Sequence, residues 1–116
     1  MELMKNELAT FTFQDIKIHV RTRASIADKL AMELVEAEGA EQLRAGAAMG
    51  DALGSMGKKV VGIFIDGWEG VTVDGKPAPY SFDALMHGFP AANAADLLPA
   101  LCAFVNEHVD ILTARD

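Results

Sequence analysis

Apolar and polar residues alternate near the start of the chain, between residues 10 and 21. Phe11 and Phe13 share one phase, and the next apolar positions, Ile16, Ile18 and Val20, lie one step out of phase with them. Because the side chains of a strand alternate between two faces, the slip at Gln14-Asp15 predicts a turn or bulge between two short strands. The pattern therefore predicts an N-terminal β-hairpin.

After the hairpin, the apolar spacing changes to that of a helix. Ser25 stands three residues before Asp28 and is predicted to cap the first turn. Gly39 is a stop signal, so the predicted helix ends at Glu38. An i, i+4, i+8 stripe runs along this helix, and we expect it to face the core. The stripe consists of Ile26, Leu30 and Leu34, with Ala27 and Val35 beside it.

A second helix is predicted from residue 40 to about residue 65. Gly46, Gly50 and Gly54 lie four apart, so a helix would place them on one face, where another backbone could approach closely. Charged residues interrupt this face, and we interpret it as a helix-packing groove inside the domain rather than a membrane dimerisation motif. Residues 60–65, VVGIFI, fit either a buried strand or the last turns of a buried helix, and we favour the helix.

The segment from residue 66 to residue 82, DGWEGVTVDGKPAPYSF, contains the chain's only tryptophan and its only tyrosine. It cannot continue a helix, because glycines flank Trp68 and an Asp74-Gly75 turn and two prolines follow. We therefore predict a loop or hairpin that Trp68 anchors to the helical core. Direct contact of Trp68 with a partner is a second interpretation, and the two are compatible.

Two helices are predicted after this segment. Ser81 can cap a short one over residues 82–86, and a longer C-terminal helix has Pro99 in its first turn, with residues 91–98 as a separate helical turn before it. The apolar stripe of the longer helix consists of Leu101, Phe104, Val105, His108, Val109 and Leu112. The predicted fold class is α+β: one mostly helical domain over residues 1–116, with an N-terminal β-hairpin and a central Trp-anchored loop.

Composition narrows the possible functions. Of the 116 residues, 51% are hydrophobic and 23% charged, which is typical of a globular domain. The formal net charge of −7 argues against nucleic-acid binding and against binding to anionic membranes, because both need a basic surface. Since neither a signal peptide nor a membrane span is recognisable, we expect a soluble, cytoplasmic protein.

Residues able to carry chemistry are present, but they lack the spacing that such chemistry requires. The histidines form no metal-binding motif, the loop carboxylates miss the calcium-loop pattern, and the single cysteine is predicted to be a buried small hydrophobe. We therefore expect no enzyme, no metal and no cofactor. The residues in question are His19, His87, His108, Asp66, Glu69, Asp74 and Cys102.

The order of motifs resembles a known family. A Phe-x-Phe strand pair, a middle helix ending in GWEGV, then DGKPAPYSFDAL and a helical tail are similar to the tail assembly chaperones of long-tailed bacteriophages and prophages. The likeness runs from Phe11 to about Val109, and its specific part is Trp68 to Ser81. The glycine-dense middle helix departs from the more alanine-rich helix of that family.

The resemblance implies a small non-enzymatic protein that coats the tape measure protein, keeps its long apolar helices soluble and helps to recruit tail tube subunits in the host cytoplasm. It supplies no catalytic residues. By their position in the central segment, the candidate partner-binding residues are Trp68, Val71, Pro77, Tyr80 and Phe82.

A second class of function remains open at this point. A small acidic protein-interaction or regulatory module, unrelated to phage tails, would use its negative surface to mask a basic partner. A third, a small-molecule enzyme, would need a pocket that gathers a histidine with the loop carboxylates. The sequence also leaves the oligomeric state open, between a monomer and a homo-oligomer.

Overall fold

The computed structural model describes residues 1–3, 5 and 7–109. The predicted stripe position Leu112 lies outside these residues. The described elements, in chain order, are β1 (Leu8–Phe13), β2 (Ile16–Arg21), α1 (Ile26–Arg44), α2 (Met49–Ile63), β3 (Ile65–Glu69), β4 (Thr72–Val73), β5 (Lys76–Pro77), α3 (Phe82–His87) and α4 (Ala91–His108).

Strands β1, β2 and β3 form an antiparallel sheet in that order. Ile18 at its centre is paired with Phe11 on β1 and with Trp68 on β3. Gln14, with φ of 52°, makes the turn between β1 and β2, at the predicted phase slip. The predicted N-terminal hairpin is confirmed, and β3 extends it to three strands.

The core lies between this sheet and the helices. Helix α4 packs against β1 and α2, and the rings of Phe11 and Phe104 are 5.3 Å apart. Ile18, Val20, Phe64, Leu101 and Val105 are fully buried in this core. The fold class is therefore the predicted one, a mostly helical α+β domain.

A polar network joins β2 to the ends of two helices. Ser25 caps α1 as predicted: its hydroxyl accepts from the amide of Asp28 at 3.2 Å, and the Asp28 carboxylate accepts from the amide of Ser25 at 2.9 Å. Arg21 donates to the same carboxylate at 2.8 Å and also to the carbonyl of Ile63 at the end of α2. Sequence reasoning did not find this role of Arg21.

Asp28 is 5% exposed, yet the network keeps it ionised. Burial alone would raise the pKa of this carboxyl, but the hydrogen bonds and the charge of Arg21, with the hydrogen bonds from Ser25, lower it below the ordinary value. The pair therefore fixes the start of α1 against β2 in a charge-dependent way.

The predicted orientation of α1 is wrong. Ile26, Leu30 and Leu34 are 73%, 58% and 63% exposed, whereas Asp28 and Met32 on the opposite face are buried. The physical reason is that contacts with other elements orient α1. Met32 packs in the core, and Asp28 accepts a hydrogen bond from Arg21 on β2.

The predicted end of α1 at Glu38 is also wrong, because the helix continues through Gly39 to Arg44. Gly39 is buried against α2, and a Cβ there would lie 2.1 Å from the sulfur of Met56. Gly39 therefore permits close helix packing instead of ending the helix. The chain turns at Gly46, whose φ of 97° favours glycine.

The glycines of the middle region do not form a packing groove inside the domain. Gly46 lies between the helices, and a Cβ on Gly50 or Gly54 would meet no atom within 4 Å. The helix assignment of residues 60–65 is largely confirmed: α2 ends at Ile63, Phe64 follows as its C-cap, and β3 begins at Ile65.

The C-terminal part differs from prediction in one boundary. Helix α3 follows its predicted cap, since Ser81 accepts from the amide of Ala84 at 3.0 Å. Helix α4 begins at Ala91 and has Pro99 in its interior, so the assignments of Pro99 to a first turn and of residues 91–98 to a separate turn are wrong. Within the described residues, no helix is long and apolar enough to cross a membrane.

Candidate functional site

Trp68 is the anchor of the central segment. It lies on β3, and its indole N–H donates to the carbonyl of Ala78 at 2.8 Å. Its half-buried ring meets the rings of Tyr80 and Phe89 edge-on, with centroids 5.1 Å and 5.7 Å away. These contacts place Trp68 between the sheet and the chain on either side of α3.

The segment after Trp68 is a tight hairpin. β4 and β5 pair antiparallel, and the amide of Ala78 donates to the carbonyl of Val71 at 2.9 Å to close its base. Asp74 and Gly75 connect the strands with φ of 51° and 77°, the two positive values of a type I′ turn. The predicted Asp74-Gly75 turn is therefore confirmed, and the hydrogen bond from Trp68 to Ala78 holds the base of the hairpin beside the indole.

Gly70 sets how closely this hairpin approaches the β1–β2 turn. Its φ is 85°, and a Cβ at this position would lie 2.4 Å from the carbonyl oxygen of Asp15. A larger residue would force the two turns apart, since the obstructing atom belongs to the backbone. The turn at Asp15 thus forms one wall beside the Trp68 segment.

A cleft of about 300 Å³ lies between the hairpin, the β1–β2 turn and the α3–α4 connection. Its lining is largely apolar, with Ile16, Trp68, Val71, Val73, Phe89 and Pro90 among its residues. Val73 is 64% exposed at this cleft, and Asp15 is among the residues that line it. The arrangement suits apolar side chains of a partner.

The five predicted partner-binding residues do not form one surface. Trp68 and Val71 line the cleft, and Tyr80 contacts Trp68 without lining it. Pro77 is exposed on β5. Phe82 lies elsewhere, on α3 over Gly62 of α2, where it lines a separate cavity of about 230 Å³.

Tyr80 supports the cleft from inside the protein. Its hydroxyl is buried and has no hydrogen-bond partner in the part of the chain that the structure describes. Burial raises the pKa of this phenol to about 12, so Tyr80 stays neutral over the physiological range. Its contribution to the site is therefore the packing of its ring against Trp68.

Sequence reasoning missed several cleft residues. Ile16 belongs to the β1–β2 hairpin, and Phe89 and Pro90 lie between α3 and α4. The Phe-Pro pair between two predicted helices indicates an apolar connection in the sequence. Its contact with Trp68 is a tertiary contact that the local sequence does not predict. Val73 belongs to the central segment, and the structure places it on β4 with its side chain exposed.

Among the remaining chemical candidates, one histidine lies beside a loop carboxylate, and the other two have different neighbours. His19 is 3.6 Å from Glu69, His87 is 4.0 Å from Asp83, and His108 stacks on Phe104. No group of three or more histidine, cysteine or acidic residues close enough to hold a metal ion occurs among the described residues.

Cys102 is half-buried rather than fully buried, beside a cavity of about 560 Å³ that Lys58 and Leu98 also line. Burial raises the pKa of its thiol, and the charge of Lys58 offsets this only in part. The thiol form is therefore favoured at neutral pH, which disfavours nucleophilic reactivity.

Comparison of the chain with protein-family models, with curated proteins and with solved structures finds no match in any of the three. The function of the cleft is therefore inferred from its own residues and from the sequence motif that forms one side of it.

Proposed function

We propose that this protein is a non-enzymatic tail assembly chaperone of a long-tailed phage or prophage, acting in the host cytoplasm. It binds apolar helical segments of the tape measure protein, keeps them soluble and helps to recruit tail tube subunits. The observation that carries the proposal is the apolar cleft beside Trp68, because one side of it is built by the segment that resembles the chaperone family.

The physical properties of the cleft support a binding role. A tape measure protein presents long apolar helices, and each turn of such a helix offers aliphatic side chains that could enter the cleft. Hydrogen bonds hold two boundaries of the cleft: the amide of Ala78 donates to the carbonyl of Val71 at the base of the hairpin, and the indole of Trp68 donates to the carbonyl of Ala78. Walls that are formed before binding lower the entropy lost on binding. The net charge of −7 keeps the chaperone soluble while it exposes apolar surface.

Co-expression tests the proposal directly. The tape measure protein encoded by the same phage or prophage is produced with and without the wild-type chain, and its soluble fraction is measured. We expect a large rise in solubility with the chaperone, together with recovery of a complex of the two. No rise in solubility would overturn the proposal and favour the alternative of an unrelated acidic interaction module.

A matched pair of variants tests the cleft itself. Val73→Asp puts a charge at the cleft, and Leu53→Asp makes the same kind of change on α2, where the side chain is 55% exposed and does not line the cleft. We expect Val73→Asp to abolish the rise in solubility and Leu53→Asp to preserve it. Equal activity of both variants would remove the cleft as the binding site.

Trp68→Ala measures how much the Trp68 side chain contributes to the stability of the fold. Its loss removes a hydrogen bond and two aromatic contacts, so we expect the free energy of unfolding to fall by about 2 to 4 kcal/mol, measured by urea denaturation. Tyr80→Phe is the control, since it removes a buried hydroxyl without a described partner and is expected to be neutral or stabilising. An unchanged stability of Trp68→Ala would show that the indole is not an anchor.

Gene order supplies an independent check. A tail tube gene upstream and a very long tape measure gene downstream are the expected neighbours. Their absence on both sides would count against the proposal, whatever the binding experiments give.

A further inference from the structure

The outer face of α1 carries three large aliphatic side chains in solvent. Ile26, Leu30 and Leu34, which we call the outer stripe, are 73%, 58% and 63% exposed. They lie opposite the face that contains the buried Asp28 and Met32. A run of three such residues on one helix face is more than scattered surface apolarity and indicates an interface.

The outer stripe is symmetric about its middle residue. Successive members are four residues apart, so an antiparallel copy of α1 would place Leu30 on Leu30 and Ile26 on Leu34 at both ends. One edge of the stripe carries Ala27 and Ala31, whose small side chains allow two helices to approach closely.

Charged residues on the edge of the outer stripe opposite the alanines also favour an antiparallel pair of α1 helices. Lys29 and Glu33 both flank the stripe there, and neither forms an ion pair within the described part of the chain. In an antiparallel pair equivalent edges face each other, so each Lys29 lies beside the Glu33 of the other copy. In a parallel pair, that edge would instead face the alanine edge, and both charges would lack a partner.

We propose that the outer stripe of α1 is the interface of a symmetric homodimer in which two α1 helices pack antiparallel about a two-fold axis near Leu30. The interface is small, so the dimer is weak and reversible and depends on protein concentration. This inference goes beyond the chaperone proposal and does not rest on it, because the stripe and the cleft beside Trp68 share no residue.

The first test is the molar mass of the full chain by sedimentation velocity, over concentrations that bracket the micromolar Kd typical of a small interface. We expect the mass to rise from that of a monomer to that of a dimer. Leu30→Glu brings two like charges together at the axis and should weaken the dimer at least tenfold. Leu53→Glu, at a similarly exposed position of α2, should leave it unchanged.

The second test is specific to the antiparallel geometry. Lys29→Glu and Glu33→Lys should each weaken self-association, because like charges then face each other across the axis. An equimolar mixture of these two variants should form a heterodimer, because every facing pair is again of opposite charge. A pairing within one helix cannot produce this recovery on mixing.

Circular dichroism of each variant verifies that the fold is retained, and Leu34→Ser replaces Leu30→Glu if the latter is unfolded. A wild-type chain that stays monomeric at every concentration would overturn the proposal. So would a dimer that Leu30→Glu leaves intact, or a mixture of the charge variants without heterodimer. None of these results would affect solubilisation of the tape measure protein through the cleft.

Discussion

Helices α1 and α4 carry the same apolar spacing and place it in opposite environments. On α4, Leu97, Leu101 and Val105 recur at i, i+4 and i+8 and are buried. On α1, the outer stripe recurs with the same spacing and is exposed. The spacing thus defines a face of a helix in both cases, but it does not determine what that face contacts.

The difference comes from what each helix packs against. Helix α4 lies against β1 and α2, and its apolar stripe completes the core. Helix α1 uses another face, where Met32 enters the core, Asp28 meets Arg21 and Gly39 admits Met56. The inner face of α1 is buried although it contains a carboxylate and a glycine. Apolar periodicity in the sequence therefore does not identify it as the buried face. An apolar stripe left outside such a helix is a candidate interface.

The largest effect is expected when one leucine on each helix is replaced by alanine. Leu101→Ala leaves a cavity in the core and should lower the free energy of unfolding by about 3 kcal/mol. Leu30→Ala removes a solvent-exposed side chain and should change it by less than about 0.5 kcal/mol in the monomer. Urea denaturation at low protein concentration measures both. Equal losses would mean that the outer stripe is covered within the monomer.

A smaller loss is expected from the polar contact on the inner face of α1. Asp28→Asn keeps the shape of the side chain but removes the charge that faces Arg21, and should cost about 2 kcal/mol at neutral pH. The control is Glu33→Gln, which changes an exposed carboxylate of the same helix and should be nearly neutral in the monomer. A neutral Asp28→Asn would mean that the network does not hold α1.

The same pair predicts a pH dependence. Because the folded-state pKa of Asp28 lies below its ordinary value of 3.8, its contribution to stability is fully present above that pH and is lost as the pH falls through the folded-state pKa. The difference in unfolding free energy between wild type and Asp28→Asn should therefore be constant from neutral pH to about pH 5 and shrink in more acidic solution. A difference that grew on acidification would contradict the assigned direction.

The smallest effects are expected at two glycines of the α1–α2 hairpin, with opposite signs. Gly39→Ala places a methyl group into Met56, and the repacking should cost about 1 kcal/mol despite the better helix propensity of alanine. Gly54→Ala meets no atom within 4 Å and should stabilise α2 by about 0.5 to 1 kcal/mol. Thermal unfolding followed by circular dichroism is sufficient for both. The same sign for both variants would contradict the packing of Gly39 against α2.

Much of the local structure followed from the sequence. The phase slip at Gln14-Asp15 located the first hairpin, Ser25 and Ser81 located two helix starts, and Asp74-Gly75 located the I′ turn. Each of these features is determined by a few neighbouring residues, so it does not depend on contacts with distant parts of the chain. Of the candidate site, the same local reasoning identified Trp68 and Val71, because they belong to one contiguous segment.

Only the tertiary structure decided which faces are covered. The role of Gly39 depends on Met56, which is seventeen residues away. Burial raises the pKa of the Asp28 carboxyl, and the contacts with Arg21 and Ser25 outweigh it and lower the pKa. The cleft combines Trp68 with Ile16 and Phe89, which no local pattern connects. Burial and close approach are properties of pairs of distant residues. The sequence therefore determined where α1 and α3 begin and where two turns lie, whereas α2 and α4 begin at Met49 and Ala91 instead of at the predicted positions. Packing determined which apolar stripe enters the core and which stays available for a second molecule.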